Sequence, residues 1–296
     1  MRVRLRFTKL GKVRFTSHRD VARMWERGLR RAGLPVALTE GFRPRPKLSF
    51  GLALSTGHES LAEYLDVELA GPLDAVGLAN LPTRLSPELP VGIDVVAAAE
   101  VVPGQASLQE EVDSCRWRIE ALGADVERAR TLVDAALAAE ELVICRQRKG
   151  REVTDDLRPA VLSLAVVGPV PGGCELEAEL AVHPRSVRPA ELLGALSPTL
   201  SEGRVLRVAQ LIGHDRGRKE PLAAAVDPGA WRAGPGSPSC TIERDPPDEP
   251  ASTSLAGAER LLERLPPHYE PANHGPAARR DHRPEPVTAG GLRRGR

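Results

Sequence analysis

The chain has 296 residues, of which 41% are hydrophobic and 27% charged, enough for one large domain or two ordinary ones. Its formal net charge is +1, and no stretch approaches the length of apolar chain that spans a membrane. Four scattered cysteines without metal-site spacing exclude a disulfide scaffold or a zinc finger, and no metal site is expected. Together with the absence of a secretory signal, they predict a cytoplasmic location.

The charge is distributed unevenly along the chain. Residues 1–50 contain fourteen Arg or Lys and three acidic residues, whereas the remaining residues contain twenty-seven basic and thirty-seven acidic ones. Arginine outnumbers lysine 36 to 5 over the whole chain, a bias typical of GC-rich genomes, so arginine content alone is weak evidence. The asymmetry nevertheless predicts a polyanionic partner for the N-terminal end.

The first hundred residues alternate between strand and helix periodicities. Residues 2–7 alternate strictly, which predicts a strand with one buried and one cationic face, and residues 13–15 are predicted as a second short strand. A helix is predicted to start after Ser17, with Asp20 completing a capping box, and to end at Gly33. The next predicted elements are strands at 61–69 and 93–101 and a short helix at 74–81.

The next hundred residues repeat this kind of pattern. The predicted elements are strands at 115–121, 142–147, 161–167, 174–182 and 204–212 and helices at 125–139 and 189–196. An order close to β-α-β-β-α-β predicts an α+β protein of two tandem ferredoxin-like sandwiches with antiparallel sheets. The predicted domains are 1–104 and 110–215.

The last quarter of the chain differs in composition. Residues 221–296 contain thirteen of the 27 prolines, and apolar periodicity is confined to residues 255–265, where one short helix is predicted. Such a segment buries too little apolar surface to offset its ordering entropy, so a disordered Pro-rich tail is predicted.

Several motifs of the N-terminal region occur in a specific order. Residues 14–20 read Arg-Phe-Thr-Ser-His-Arg-Asp, residues 29–35 read Leu-Arg-Arg-Ala-Gly-Leu-Pro, and residues 41–50 read Gly-Phe-Arg-Pro-Arg-Pro-Lys-Leu-Ser-Phe. With Lys149-Gly150 and residues 156–159, these motifs resemble the bacterial radical-SAM-associated proteins, a domain of unknown function found beside or fused behind radical SAM enzymes. The resemblance covers residues 1–210 and is densest in 1–70.

This resemblance implies a partner rather than a reaction. A radical SAM enzyme holds its [4Fe–4S] cluster with three closely spaced cysteines, whereas no two cysteines of this chain lie within ten residues of each other. No cofactor is therefore expected in this chain, and the implied radical SAM partner would carry the iron-sulfur cluster and S-adenosylmethionine.

The candidate binding residues form a basic helix and the loop that follows it. Arginine pairs bidentately with phosphate, and Phe42 has a ring that can stack on an unpaired base. The predicted binding residues are Arg14, Ser17, His18, Arg19, Arg23, Arg27, Arg30, Arg31, Gly41, Phe42, Arg43, Arg45 and Lys47. The alternative interpretation is a solvated helix face in an arginine-rich protein.

Three functions are compatible with these residues. The first is a non-catalytic accessory protein of a radical SAM enzyme that binds or presents RNA. The second is a metal-independent endoribonuclease with His18 as general base, although a histidine at a helix start more often bonds to the backbone. The third is a protein–protein adaptor that makes its contacts through the tail.

Overall fold

The computed structural model describes residues 1–148, 150–213 and 217–222, and for residues 147 and 148 the backbone alone. The strands are β1 (Arg2–Lys9), β2 (Leu48–Phe50), β3 (Glu59–Glu68), β4 (Val95–Glu100), β5 (Val112–Leu122), β6 (Val143–Arg148), β7 (Arg151–Asp156), β8 (Val161–Val170), β9 (Gly173–Ala181) and β10 (Ser201–Ile212). The helices are α1 (His18–Arg31), α2 (Ala75–Ala79), α3 (Leu81–Leu85), α4 (Leu108–Glu111), α5 (Val126–Ala138) and α6 (Pro189–Leu196).

In the described part of the chain, eight strands form one sheet in the order β4-β1-β3-β10-β5-β9-β8, with β2 also paired to β3. Leu65 of β3 pairs with β1 on one side and with β2 on the other. The start of β3, at Glu59 and Ser60, pairs in parallel with β10, whereas the other neighbours in the sheet are antiparallel. The prediction of an α+β protein with mostly antiparallel strands is confirmed.

The finer prediction of two tandem ferredoxin-like sandwiches is not confirmed, because strands of both halves belong to one sheet. The pairing of β3 with β10 connects residues that are 147 positions apart in the sequence. The domain boundaries at 104 and 110 stay a prediction, and the predicted tail from residue 223 onward lies outside the described residues.

Two large apolar cores lie along this sheet in the described chain, together with a small cluster of Leu61 and Leu206. In the first, the buried face of α1 packs on β1, where the rings of Trp25 and Phe7 meet edge to face with centroids 4.9 Å apart. In the second, Val133 of α5 and Leu192 of α6 pack in a cluster with Trp117 of β5. Both cores use the apolar stripes that helical periodicity marks in the sequence.

Several short elements differ from their predictions, for example the helix predicted at 74–81, which is two helices, α2 and α3. Residues 13–15, predicted as a strand, belong to a 3-10 helix (Gly11–Phe15) that leads directly into α1. Strand β7 was not predicted because it pairs only with β6 in the described chain and has half-buried and exposed residues without an apolar stripe.

Candidate functional site

The exposed face of α1 carries an arginine stripe, formed by Arg19, Arg23, Arg27 and Arg30. These four residues have the spacing i, i+4, i+8 and i+11, which places them within roughly a quarter of the helix circumference. All four side chains are exposed, while the opposite face of the helix packs into the first core. The structure thus places these arginines on one exposed face of α1, while their role in binding stays a prediction.

Most of the positive charge of the arginine stripe is not neutralised by acidic side chains nearby. Arg23 lies 3.5 Å from the Asp20 carboxylate, a mostly exposed pair of the kind that contributes little. Arg31, beside the stripe, pairs with Glu88 at 3.0 Å. The structure gives no ion pair to Arg19, Arg27 or Arg30 within the ranges it describes, so these guanidinium groups are available to an external anion.

The start of α1 is organised by Ser17. Its hydroxyl oxygen accepts a hydrogen bond from the Asp20 amide at 3.2 Å, and its hydroxyl donates to the Asp20 carboxylate at 2.7 Å. This second bond lowers the pKa of Asp20 below its ordinary value. His18, the first residue of the helix, is exposed, and its ring centroid lies 5.0 Å from that of Phe50. The role of His18 as a base stays a prediction.

The loop after α1 exposes an aromatic side chain among cations. Phe42 is completely exposed and follows Gly41, whose φ of +116° few other residues adopt. Arg43 and Arg45 are exposed, and the Arg45 amide donates to the Thr39 hydroxyl. A further loop cation, Lys47, lies 3.3 Å from Glu68. The contacts of the loop are therefore with its own stem and with β3.

Several N-terminal cations are structural. Arg4 is buried and donates to both carboxylate oxygens of Asp66, and Arg6 is buried and bonds to Glu220 at 2.7 Å. The predicted cationic face of β1 is therefore wrong as a solvent-facing surface, because acids from distant segments cover it. Arg14, a predicted binding residue, is 3.6 Å from buried Glu59 and lies over the Phe15 ring.

A chain of polar side-chain pairs, two of them ion pairs, joins the β3 region to β10, and sequence analysis missed it. His58 lies 3.4 Å from Glu202, Glu59 lies 2.8 Å from Arg204, and Glu63 lies 2.5 Å from Arg207. The partners are 144 or 145 residues apart, so no local spacing could pair them. The available signal was Glu63 itself, an acid at an apolar position of a predicted strand.

A small cavity separates this chain of pairs from the start of α1. Its lining includes Lys9, His18, Phe50 and Glu63, and its volume of about 20 Å³ is sufficient for about one water molecule. Lys9 is buried and donates to the carbonyl oxygens of Arg14 and Thr16. Burial lowers the pKa of Lys9, while the negative charge of Glu63 opposes that shift.

Three further findings concern a buried thiol, metal ligands and the helices of the described chain. Burial raises the pKa of Cys115 to about 11, so this thiol is protonated and a poor nucleophile at neutral pH. Within the described ranges, no group of three or more His, Cys, Asp or Glu side chains is placed to hold a metal ion. None of the described helices is long and apolar enough to cross a membrane.

A family model described as "Uncharacterized protein conserved in bacteria (DUF2344)" matches residues 2–233. The chain belongs to this family. The match to this bacterial family includes the arginine stripe, the loop after α1 and all strands from β1 to β10. It confirms the prediction of a bacterial domain of unknown function, while the association with radical SAM enzymes stays a prediction.

Comparisons with curated proteins and with solved structures provide less information than the family match. Among curated proteins, none matches the sequence of this DUF2344 chain. A solved structure with some similarity is "Crystal Structure of a Cbf5-Nop10-Gar1 Complex", with a TM-score of 0.39 and 10% sequence identity. That similarity covers 69% of this chain and 48% of the other, so the chain spans about half the length of its neighbour.

Proposed function

We propose that this protein is a non-catalytic accessory protein that binds or presents RNA through the arginine stripe and the loop after α1. The observation that carries the proposal is the stripe itself, in which Arg19, Arg27 and Arg30 face solvent and form no ion pair with the described residues. Guanidinium groups bind phosphate oxygens in a bidentate geometry, and neutralising a phosphate releases counterions, which favours binding at low salt.

Single-stranded RNA fits this surface better than duplex DNA. Phe42 presents its whole ring to solvent beside Arg43 and Arg45, and unpaired bases stack on such rings whatever their sequence. The surface would therefore combine phosphate contacts from the helix with base stacking at the loop.

We also infer a radical SAM protein as the partner, supported by the ordered motifs of residues 14–50. That partner would supply the iron-sulfur cluster and S-adenosylmethionine, and this chain would supply the RNA-facing surface. We further infer that each half is a ferredoxin-like β-α-β-β-α-β unit. The strand orders β4-β1-β3-β2 and β10-β5-β9-β8 support this, because they have the same arrangement.

The proposal is tested by RNA binding at increasing salt. We expect fluorescence anisotropy with a labelled single-stranded RNA to give an affinity that falls steeply with salt. The variant Arg19→Ala/Arg27→Ala is expected to bind about tenfold more weakly at low salt and to have a shallower salt slope by about 1 to 2.

The matched control is Arg128→Ala/Arg130→Ala, which removes two exposed arginines from α5. It is expected to leave the affinity and the salt slope close to those of the wild type. The proposal is wrong if the wild-type chain shows no measurable affinity for RNA at low salt, or if both double variants weaken binding equally.

A further inference from the structure

Phe15 is an exposed aromatic residue of the basic N-terminal region, outside the arginine stripe and the loop after α1. It is the last residue of the 3-10 helix that leads into α1, its exposed fraction is 63%, and it belongs to none of the apolar clusters of the described chain. Aromatic residues make up only 3% of the chain, and among those that the structure describes only Phe15 and Phe42 are exposed. Both exposed rings therefore lie within the basic residues 1–50.

The backbone on either side of Phe15 is held by hydrogen bonds. The carbonyl oxygen of Arg14 accepts the Gly57 amide at 2.8 Å. Buried Lys9 donates to the carbonyl oxygens of both neighbours of Phe15, Arg14 at 3.4 Å and Thr16 at 3.2 Å. The ring is thus presented from a well-ordered segment, which lowers the entropy that a ligand contact would cost.

One face of the Phe15 ring is covered by a cation. The guanidinium group of Arg14 lies 4.6 Å from the ring centroid, and it is itself held 3.6 Å from the buried carboxylate of Glu59. The Gly11 amide donates to the same carboxylate at 2.7 Å, which fixes the position of the acid. Arg14 therefore supports the ring from one side, and the opposite face is open to solvent.

A second cation lies on the same side of the 3-10 helix as the ring. Such a helix has three residues per turn, so the side chains of Lys12 and Phe15 lie one above the other. Val13, on another side, is buried in the first core. Lys12 is exposed and forms no ion pair with the described residues. Its positive charge is therefore available to attract a phosphate group next to the open face of the ring.

We propose that the Phe15 ring, supported by Arg14, is a stacking platform for an unpaired base of single-stranded RNA. The inference rests on the proposed function and adds a base contact at the start of α1 to the one at Phe42. A nucleotide carries an aromatic base next to a phosphate, and these two groups match an open ring with a free cation beside it. Because every base has a flat face, stacking at Phe15 is expected to be independent of sequence.

The test is Phe15→Leu in the full-length protein, which keeps an apolar side chain and removes the ring. Fluorescence anisotropy with a labelled uridine oligonucleotide of about 12 nucleotides is expected to give roughly tenfold weaker binding at low salt. The salt slope is expected to stay at the wild-type value, because stacking releases no counterions. The melting temperature is expected to change by less than about 4 °C, because the ring is exposed.

Three controls isolate the contribution of the ring. Phe15→Trp keeps an aromatic face and is expected to bind the oligonucleotide at least as tightly as the wild type. Val76→Ala removes a similarly exposed apolar side chain from α2 and is expected to leave the affinity unchanged. An abasic oligonucleotide with the same number of phosphates is expected to bind equally to the wild type and to Phe15→Leu, because it has no base to stack.

The outcomes distinguish this inference from the proposed function. Wild-type RNA binding that Arg19→Ala/Arg27→Ala weakens, but Phe15→Leu does not, leaves the proposed function standing and overturns the platform. Equal weakening of the abasic and the base-containing oligonucleotide in Phe15→Leu also overturns it, because the loss would then not depend on a base. Binding by Phe15→Trp that is as weak as binding by Phe15→Leu overturns it as well. No RNA binding by the wild type at low salt overturns both proposals.

Discussion

At the scale of single residues, several charged side chains are buried in ion pairs inside the fold. Arg207 is almost completely buried and is held by the Glu63 carboxylate at 2.5 Å and by the carbonyl oxygen of Leu52 at 3.0 Å. Its guanidinium also lies 5.5 Å from the centre of the Trp117 ring. Such a pair offsets its desolvation only while both partners are present. We therefore expect Glu63 and Arg207 to be strongly coupled.

This coupling is measurable in a double-mutant cycle. Glu63→Gln leaves a buried arginine without its counter-charge, which is expected to lower the free energy of unfolding by about 3–5 kcal/mol. Combined with Arg207→Met, it is expected to cost about 2 kcal/mol less than the sum of the two single changes. Urea unfolding followed by tryptophan fluorescence provides the free energies.

The matched control for this cycle is the exposed pair Lys47 and Glu68, 3.3 Å apart. The changes Lys47→Met and Glu68→Gln are expected to be additive within about 0.5 kcal/mol, because water screens exposed charges. Equal coupling in the two cycles would contradict a special role for burial of the Glu63–Arg207 pair.

At the scale of elements, α1 joins the candidate surface to the core. Val21 and Trp25 anchor its buried face, and Gly33, with a φ of +64°, follows the last turn and lets the chain leave the helix. Ser17 satisfies a free amide of the first turn, so the orientation of the arginine stripe depends on a well-defined helix start.

Removal of the Ser17 cap gives a prediction with a defined pH dependence. Ser17→Ala is expected to lower stability by about 1 kcal/mol near neutral pH. The Ser17 hydroxyl bond to the Asp20 carboxylate holds the pKa of Asp20 below its ordinary value. The stability that comes from this bond is present above the ordinary pKa and is lost as pH falls through the folded-state pKa, whereas the bond from the Asp20 amide does not depend on pH.

The measurement is thermal unfolding followed by circular dichroism at neutral and at acidic pH. Ser49→Ala, at an exposed position of β2, is the control and is expected to change stability little at either pH. A Ser17→Ala cost that grows as pH falls would contradict the assigned hydrogen bond.

At the scale of the whole molecule, the shared sheet makes the two halves depend on each other. The parallel pairing of β3 with β10 and the ion pairs across it connect the first core to the second. A break between the halves would leave buried acids of β3 without their arginines. We therefore expect residues 1–213 to unfold as one cooperative unit.

Two tryptophans can report on the two cores separately, while circular dichroism reports on both halves together. Trp25 lies in the first core and Trp117 in the second, so chains that retain one of them, with the other tryptophans replaced by phenylalanine, monitor one core each. In urea unfolding of each chain, the midpoint from tryptophan fluorescence is expected to equal the midpoint from circular dichroism. A fluorescence midpoint that differs from the circular-dichroism midpoint of the same chain would contradict cooperative folding.

Local patterns in the sequence determined most elements of this protein. The 3.6-residue period and the Ser17 cap predicted α1, and strict alternation predicted β1 and β5, because both signals depend on neighbours within a few positions. The same spacing put the arginine stripe on one face of α1, so the main candidate surface was readable without a structure.

Only the tertiary structure decided which charges are free and how the halves join. Arg4 and Arg19 look alike in the sequence, yet Arg4 is buried against Asp66, 62 residues away, and Arg19 faces solvent. The pairing of β3 with β10 likewise depends on contacts between residues 147 positions apart. The physical reason is the same in both cases: periodicity specifies which face a residue occupies, whereas the partner on that face is set by long-range packing.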